Sequence, residues 1–271
     1  MMKNNKWILL VLTIIGYIIV YLPLIMIVYF SFNKSERIHY DLGFGLIWYK
    51  EIFNQSNGLL QAITNTLQVA VISTVLATII GTFTAIGIHS LSRSNRVRMM
   101  VLNNVPVINP DIVTGVSLWL VFGLLPISFG MPTMLLAHVF FSIPFVVLSV
   151  LPKLKKLDVN LFDAALDLGC SRFQAIYKVI LPSITSSVIA GALIAFTMSI
   201  DDFVISYFTA GVEFQNVSLW IYSKIGRRTF SPAVYAYNSI IVFTTIVGLF
   251  VFNLRTIKKR RKRNEKNFIT S

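Results

Sequence analysis

Six apolar runs follow one another along this chain of 271 residues, and each is long enough to cross a bilayer as a helix. The shortest has 19 residues, which at about 1.5 Å per helical residue approaches the ~30 Å hydrocarbon core. Charged residues make up only 13% of the chain, against roughly 25% in an average soluble domain. The pattern predicts an all-α integral membrane protein with six transmembrane helices and excludes a soluble enzyme. The predicted spans are 7–30, 62–88, 99–125, 133–151, 184–208 and 233–254.

Lysine and arginine residues are distributed unevenly between the two sides of the predicted spans. If the N-terminus lies inside, 18 of the 24 basic residues fall on the inner side and 6 on the outer side. Because an excess of positive charge marks the cytoplasmic side, both termini are predicted to be cytoplasmic. The first run follows Lys3 and Lys6 and has no A-x-A-like cleavage site behind it. We therefore interpret it as an uncleaved first helix.

The connections between the spans are short. The longest are 31–61, 152–183 and 209–232, all below the ~40 residues that a chain generally needs to fold unaided. We therefore predict a single transmembrane domain over residues 1–271. No glycine is followed by lysine anywhere, which excludes the Walker A signature. If the protein uses ATP, another chain must bind it.

Metal binding and covalent catalysis are not expected from this sequence. His39, His89 and His138 have no carboxylate or cysteine partner at the spacing of metal ligands. The single cysteine, Cys170, has no catalytic neighbourhood. The chain is therefore not predicted to be an enzyme.

The inner loop at residues 158–182 has the local signals of two short helices. The first can begin after an aspartate cap and end at a glycine in the left-handed conformation. A Ser-x-x-Gln capping box starts the second helix, and a proline follows its predicted end. These signals are carried by Asp158, Gly169, Ser171, Gln174 and Pro182. Amphipathicity alone favours an interfacial helix lying in the lipid headgroups, so the spacing of particular residues has to decide.

That spacing resembles the EAA loop of bacterial ABC-importer permeases, which reads E-A-A, three residues, Gly, nine residues, then I-x-L-P. The matching residues are Asp163, Ala164, Ala165, Gly169, Leu181 and Pro182. Asp163 stands for Glu, and Val179 stands for Ile. The resemblance implies that the loop docks on an ATP-binding subunit and transmits its movement to the membrane helices. An interfacial helix requires neither the glycine nor the Leu-Pro pair.

The resemblance extends over almost the whole chain. It is carried by Ser31-Phe32-Asn33, Trp48-Tyr49, Pro110-Asp111-Ile112-Val113, Pro144-Phe145-Val146-Val147 and Ser199-Ile200-Asp201-Asp202-Phe203-Val204. With these segments the chain resembles the PotC-type permease subunits of bacterial spermidine/putrescine ABC importers, a MetI-like family. The resemblance implies a six-helix MetI-like fold in the bacterial inner membrane and a role in polyamine uptake. It also implies a PotB-type second permease, two ATP-binding subunits that hold ATP and Mg²⁺, and an extracytoplasmic polyamine-binding protein. No cofactor is expected in this chain.

Asp111, Asp201 and Asp202 lie within or at the edge of predicted spans that contain no lysine or arginine to neutralise them. An acid near the middle of a bilayer costs about 2.5–3.5 kcal/mol, so we predict that these acids line a path for a cationic solute. Successive helical residues differ in direction by about 100°, so Asp201 and Asp202 cannot face the same point. We expect one to face the path and the other to pair with a neighbouring chain. Alternatively, the fifth helix unwinds there or lies shallower, which leaves the acids at the outer surface.

Two further features are candidates for the path. The third span contains Asn103, Asn104, Pro106, Asn109 and Pro110. Proline breaks the helical hydrogen-bond ladder, so a kinked helix that exposes Asn104 and Asn109 to the path is predicted, with packing between helices as the alternative. Trp48 precedes the second span and is a candidate for stacking on a ligand, or else an anchor at the membrane interface.

Three functions remain in competition at this level. The first is an ABC-importer permease for polyamines, and the second is the same kind of permease for another solute. The third is a self-contained secondary transporter or channel, although no inverted repeat of the kind it requires is found. The preferred polyamine, the acids that face the path, the resting conformation and the identity of the partner chains remain open.

Overall fold

A computed structural model of the chain describes residues 6–35, 43–53, 58–158, 160–226 and 232–247, together with Phe250. Within these residues the secondary structure is helical, apart from one isolated β-bridge between Asn33 and Phe44. The long helices are α1 (Lys6–Ser31), α3 (Leu59–Ser90), α4 (Arg93–Ile108), α5 (Asp111–Gly123), α6 (Met131–Leu154), α9 (Leu181–Asp201) and α12 (Ala233–Val247). The short helices are α2 (Ile47–Glu51), α7 (Leu161–Asp167), α8 (Arg172–Ala175), α10 (Val204–Thr209) and α11 (Val217–Gly226).

Four helical stretches in the described part of the chain are long and apolar enough to cross a membrane: α1, α3, α6 and the continuous stretch Arg172–Asp201. The bent pair α4 and α5 makes a fifth if the pair is one span. The predicted spans 7–30, 62–88 and 133–151 therefore coincide with long apolar helices. The sixth, 233–254, is helical over Ala233–Val247 and otherwise falls mostly outside the described residues. The count of six spans stays a prediction.

The third predicted span, 99–125, is not one straight helix. It is two helices, α4 and α5, bent by 101°. Asn109 is extended, with ψ 134°, and Pro110 follows with ψ 138°. A residue before proline is driven out of the helical region by the proline ring, so the chain breaks where the Asn-Pro pair stands. The expected kink is present, and it is large enough to start a new helix at Asp111.

The fifth predicted span, 184–208, is also interrupted. Helix α9 ends at Asp201, Asp202 is extended with ψ 129°, and α10 begins at Val204. This is the unwinding that the sequence left open as an alternative. The break puts Asp201 and Asp202 at the junction between two helices, not inside one.

The structure divides into two compact units, one formed by Met1–Leu60 with Lys224–Ser271 and the other by Gln61–Ser223. In the larger unit, α3 and α9 both approach Val146 of α6 through glycines. A Cβ added at Gly81 would lie 2.7 Å from the Cβ of Val146, and one added at Gly191 would lie 3.2 Å from its Cα. Small residues at such points allow helices in a membrane to pack closely.

The hydrophobic cluster around Val146 continues into the helical hairpin at residues 158–182. Leu154 at the end of α6 and Ile180 at the end of the hairpin are both buried in it. Leu161 and Phe162 of α7 pack against the same cluster. Apolar contacts therefore hold the inner face of the hairpin against the rest of the larger unit.

Most of the predicted local structure of this hairpin is confirmed. Gly169 has φ +85°, the left-handed conformation in which a helix commonly ends. The side chains of Ser171 and Gln174 accept from each other's backbone N–H groups, which is the expected capping box. The predicted cap at Asp158 is shifted, because α7 has Asn160 at its N-cap position while Asp158 accepts from the Asn160 N–H.

The predicted helix end before Pro182 is wrong. Residues Ile176–Ile180 form a π-helical turn, in which the Leu181 N–H bonds the Ile176 carbonyl five residues back. Because Pro182 has no N–H to donate, the wider turn carries the chain past it without a break. Helix α8, the π turn and α9 therefore run continuously from Arg172 to Asp201.

The smaller unit joins α1, α2 and α12 through polar and aromatic contacts. Tyr49 of α2 bonds Ser31 of α1 at 2.8 Å, and its hydroxyl donates to Ser239 of α12 at 3.2 Å. Phe30 of α1 contacts Tyr235 of α12, with ring centroids 5.8 Å apart. One tyrosine hydroxyl thus links three segments that are far apart in sequence.

Candidate functional sites

The break between α9 and α10 turns two neighbouring acids in different directions. Asp201 is exposed, whereas the side chain of Asp202 is only 10% exposed. The expectation that the two could not face one point is confirmed. Asp111, the first residue of α5, is exposed as well. In the described part of the chain neither Asp111 nor Asp201 forms an ion pair.

Asp202 is engaged within its own chain. Its carboxylate accepts from the backbone N–H groups of Ile205 and Ser206, at 3.3 and 2.7 Å, and from the Ser206 hydroxyl at 2.7 Å. These bonds satisfy free donors in the first turn of α10. These intrachain bonds favour a structural role for Asp202, while its pairing with a neighbouring chain and its assignment to the substrate path stay predictions.

His138 of α6 lies beside Asp202, with 3.6 Å between its Nε2 and the carboxylate Oδ2. The ring is 1% exposed, and its Nδ1 and Nε2 are 2.6 and 3.1 Å from the hydroxyls of Ser199 and Ser206. The sequence analysis missed this contact because it compared histidines only with acids at metal-ligand spacing. The available signal was an ionisable residue inside the apolar run 133–151.

The asparagines of the third predicted span have mixed surroundings. Asn103 donates to the Asn104 side-chain oxygen at 3.4 Å and to the Pro144 carbonyl of α6 at 3.5 Å, which is the packing alternative. Asn109 donates to the Thr114 hydroxyl at 3.4 Å and thus bridges the bend between α4 and α5. Asn104 and Asn109 are each partly exposed. Their position on the path stays a prediction.

Trp48 has a structural position. It is 7% exposed, and its indole N–H donates to the Asn33 carbonyl at 2.6 Å. A buried ring whose polar atom is already bonded offers no free face to a ligand. This contact favours the anchor over stacking on a ligand, because Trp48 holds α2 to the segment that follows α1.

An open cavity of about 830 Å³ lies between α5, α10 and the connections that follow them. Its walls include the aromatic side chains of Trp119, Phe129, Tyr207 and Phe208, with Glu213 at the wall and no lysine or arginine. Aromatic faces and a carboxylate both attract organic cations. The sequence analysis missed this cavity because its wall residues come from three separate stretches of the chain.

The hairpin at 158–182 presents a second surface. Of the residues that match the EAA pattern, Ala165 is buried and Leu181 is partly buried, while Asp163, Ala164, Gly169 and Pro182 are exposed. On the same hairpin Leu168, Phe173 and Tyr177 are 87%, 70% and 66% exposed. No described residue of the chain covers these three apolar side chains, and exposed apolar groups of this kind are typical of an interaction site.

Comparison with known proteins identifies relatives of this chain. Residues 77–264 match the family described as binding-protein-dependent transport system inner membrane component. The chain is 37% identical over 238 residues to the spermidine/putrescine transport system permease protein PotC of Escherichia coli strain K12, covering 88% of this chain and 89% of that protein. It is 34% identical to the PotC of Haemophilus influenzae, over 89% of this chain and 93% of that one.

Other relatives are more distant. The putrescine transport system permease protein PotI of Escherichia coli strain K12 is 30% identical, over 93% of this chain and 92% of that protein. A bacterial ABC transporter involved in the import of the acidic polysaccharide alginate has a similar structure, with a TM-score of 0.68 and 17% identity over 93% of this chain and 96% of that one. At this identity the similarity concerns the fold.

Proposed function

The chain belongs to the family of binding-protein-dependent transport system inner membrane components, and from this premise we propose that it imports polyamines as the permease subunit of an ABC importer. The observation that carries the proposal is the 37% identity over 88% of the chain to a permease named for spermidine and putrescine. The chain is a transport subunit and catalyses no covalent step. Its relatives and its long apolar helices make it a multi-pass inner-membrane protein.

The 158–182 hairpin is the proposed contact with an ATP-binding subunit. Its inner face is packed on the larger unit, and its outer face exposes Leu168, Phe173 and Tyr177. The helix is continuous from Arg172 to Asp201, a length of about 45 Å at 1.5 Å per residue. Because the helix is unbroken, a displacement of the hairpin also moves the junction of α9 and α10. This continuity supports mechanical coupling between ATP hydrolysis and the membrane helices.

A cationic cargo fits the acids that remain free. Asp111 and Asp201 are exposed, and neither is neutralised by an ion pair within the described chain. The cavity lined by Trp119, Tyr207 and Glu213 adds aromatic faces and a further carboxylate. A polyamine combines protonated amines with methylene chains, so it suits both kinds of wall. We assign Asp111, Asp201, Asn104 and Asn109 to the proposed path.

The remaining components of the importer are also proposals. They are a PotB-type second permease, two ATP-binding subunits that hold ATP and Mg²⁺, and an extracytoplasmic polyamine-binding protein. This chain is proposed to hold no cofactor, to form one permease domain and to have both termini in the cytoplasm. The positive charge of the predicted inner connections supports that orientation.

Reconstituted transport tests the proposal. Vesicles that contain the chain, its second permease, the ATP-binding subunits and the binding protein should accumulate labelled spermidine or putrescine only when ATP is supplied. Uptake by the chain without ATP-binding subunits would favour a secondary transporter or channel. ATP-dependent uptake of another solute, with no uptake of polyamines, would retain the permease and overturn the cargo.

A further inference from the structure

We propose that His138 is the counter-ion of Asp202, and that this buried pair is the positioning element that holds the junction of α9 and α10 against α6. The Asp202 side chain is 10% exposed, and His138 is the basic side chain that the described structure places within 4 Å of it. An ionised carboxylate removed from water is costly unless a countercharge and hydrogen bonds compensate it. His138 supplies the countercharge.

The hydroxyl of Ser206 indicates where one proton of His138 lies. This hydroxyl has a single hydrogen, which it donates to Asp202, and it accepts one bond from the Asn216 amide at 2.9 Å. Its remaining lone pair faces His138 Nε2 at 3.1 Å. An acceptor in that place requires a donor opposite it, so Nε2 carries a hydrogen.

The other ring nitrogen faces a chain of hydroxyls. His138 Nδ1 is 2.6 Å from Ser199 Oγ, Ser199 Oγ is 3.1 Å from Ser73 Oγ, and Ser73 donates to the Ala70 carbonyl. If Nδ1 also carries a hydrogen, every donor along this chain has an acceptor. The site therefore has an acceptor for each of the two N–H groups of an imidazolium.

The pair connects elements that are distant in sequence. His138 belongs to α6, Ser199 to α9, Ser206 to α10 and Ser73 to α3, and all four side chains are buried. Asn216 also donates to the backbone carbonyl of Asp202 at 3.2 Å, which holds the extended residue between α9 and α10 from the other side. The network thus fixes the geometry from which Asp201 reaches the exposed surface.

A charge-rescue experiment on the full-length chain in its assembled complex tests the pair. His138→Gln leaves a buried carboxylate without its countercharge, and we expect the apparent melting temperature to fall by about 5–10 °C. Adding Asp202→Asn should recover at least half of that loss, because no uncompensated charge remains. Ser142→Ala is the matched control, since Ser142 is buried on α6 and its hydroxyl has no partner in the described structure. Equal or greater loss in the double variant would overturn the proposal.

The protonation of the ring gives a second readout, which is taken from the chain with both side chains unchanged. Solid-state NMR of the complex with ¹⁵N-labelled histidine should show two protonated ring nitrogens for His138, assigned by difference against the His138→Gln/Asp202→Asn double variant. A neutral ring with one bare nitrogen would overturn the assignment of His138 as a counter-ion. Neither measurement depends on which solute the importer carries.

Discussion

Asp201 and Asp202 are adjacent in sequence but occupy different environments. Asp202 is withdrawn into a network of hydroxyls with His138, while Asp201 stays exposed beside it. A free carboxylate in an exposed position attracts a cation without contributing to folding. We therefore expect Asp201 to act in binding and Asp202 to act in structure.

This separation predicts the behaviour of Asp201→Asn. We expect the KM for spermidine uptake to rise about fivefold to tenfold, because roughly 1–1.4 kcal/mol of attraction to a cation is lost. The melting temperature should not change, since the residue is exposed and has no ion pair. Initial uptake rates over a range of spermidine concentrations measure the effect. An unchanged KM would remove Asp201 from the proposed path.

At the scale of helices, close packing depends on glycines that meet Val146. Gly81 of α3 faces Val146 of α6, whereas a Cβ added at Gly87 of the same helix would meet nothing within 4 Å. The two glycines therefore share helix and residue type but differ in their surroundings.

Alanine substitutions at Gly81 and Gly87 give a matched test of this packing. Gly81→Ala should lower the melting temperature of the complex, because overpacking of a tight contact costs about 1–3 kcal/mol. Gly87→Ala should leave it equal or raise it, since alanine favours a helix over glycine by up to about 1 kcal/mol. Thermal unfolding of the two purified variants, side by side, gives the comparison. A more stable Gly81→Ala variant would contradict the close approach of α3 and α6.

The helical hairpin allows a prediction about coupling. Phe173→Ser removes a 70% exposed aromatic side chain from its outer face, where it contributes nothing to the core. Truncation of an aromatic anchor in an interface commonly costs about 2 kcal/mol or more, so retention of the ATP-binding subunit should fall at least about tenfold. Thermal stability of the chain should be unaffected. Co-purification of the two proteins measures the loss.

Ser183→Ala is the control for this variant. Ser183 is exposed just beyond the hairpin, and its hydroxyl donates to the Val179 carbonyl of its own helix. Its replacement should leave the partner bound. Full retention of the ATP-binding subunit by Phe173→Ser would show that the docking surface lies elsewhere.

For the whole molecule, the asymmetry of positive charge predicts which side of the membrane each connection faces. Cys170 is the only cysteine of the chain, and it lies in the hairpin that is predicted to be cytoplasmic. It is a partly exposed free thiol. The thiol of Cys170 can therefore report the orientation of the chain in the membrane.

A membrane-impermeant maleimide should label Cys170 in inside-out vesicles and not in intact cells. A Val212→Cys variant in a Cys170→Ser background should show the opposite pattern, because Val212 is 93% exposed in a connection predicted to lie outside. Added ATP-binding subunit should protect Cys170 and leave the thiol introduced by Val212→Cys reactive. Labelling of Cys170 from outside intact cells would reverse the proposed topology.

Much of the architecture follows from features that act over a few residues. The long apolar helices, the left-handed Gly169, the Ser171–Gln174 capping box and the break at Asn109–Pro110 were all foreseeable. Each depends on hydropathy, on a backbone preference or on a bond between near neighbours. The same local rules predicted the wrong end for the second hairpin helix. A π turn accommodates the missing N–H group of Pro182, so the helix continues.

The pairing of side chains from distant segments follows from packing. His138 reaches Ser199 and Ser206 across 61 and 68 residues of sequence, and no local pattern relates those positions. The burial of Trp48 likewise depends on a carbonyl 15 residues away in another segment. Sequence patterns therefore predict the helices and their location in the bilayer, since hydropathy and backbone sterics are local. Which acid is neutralised and which stays free depends on helices meeting in three dimensions, because charge compensation requires contact.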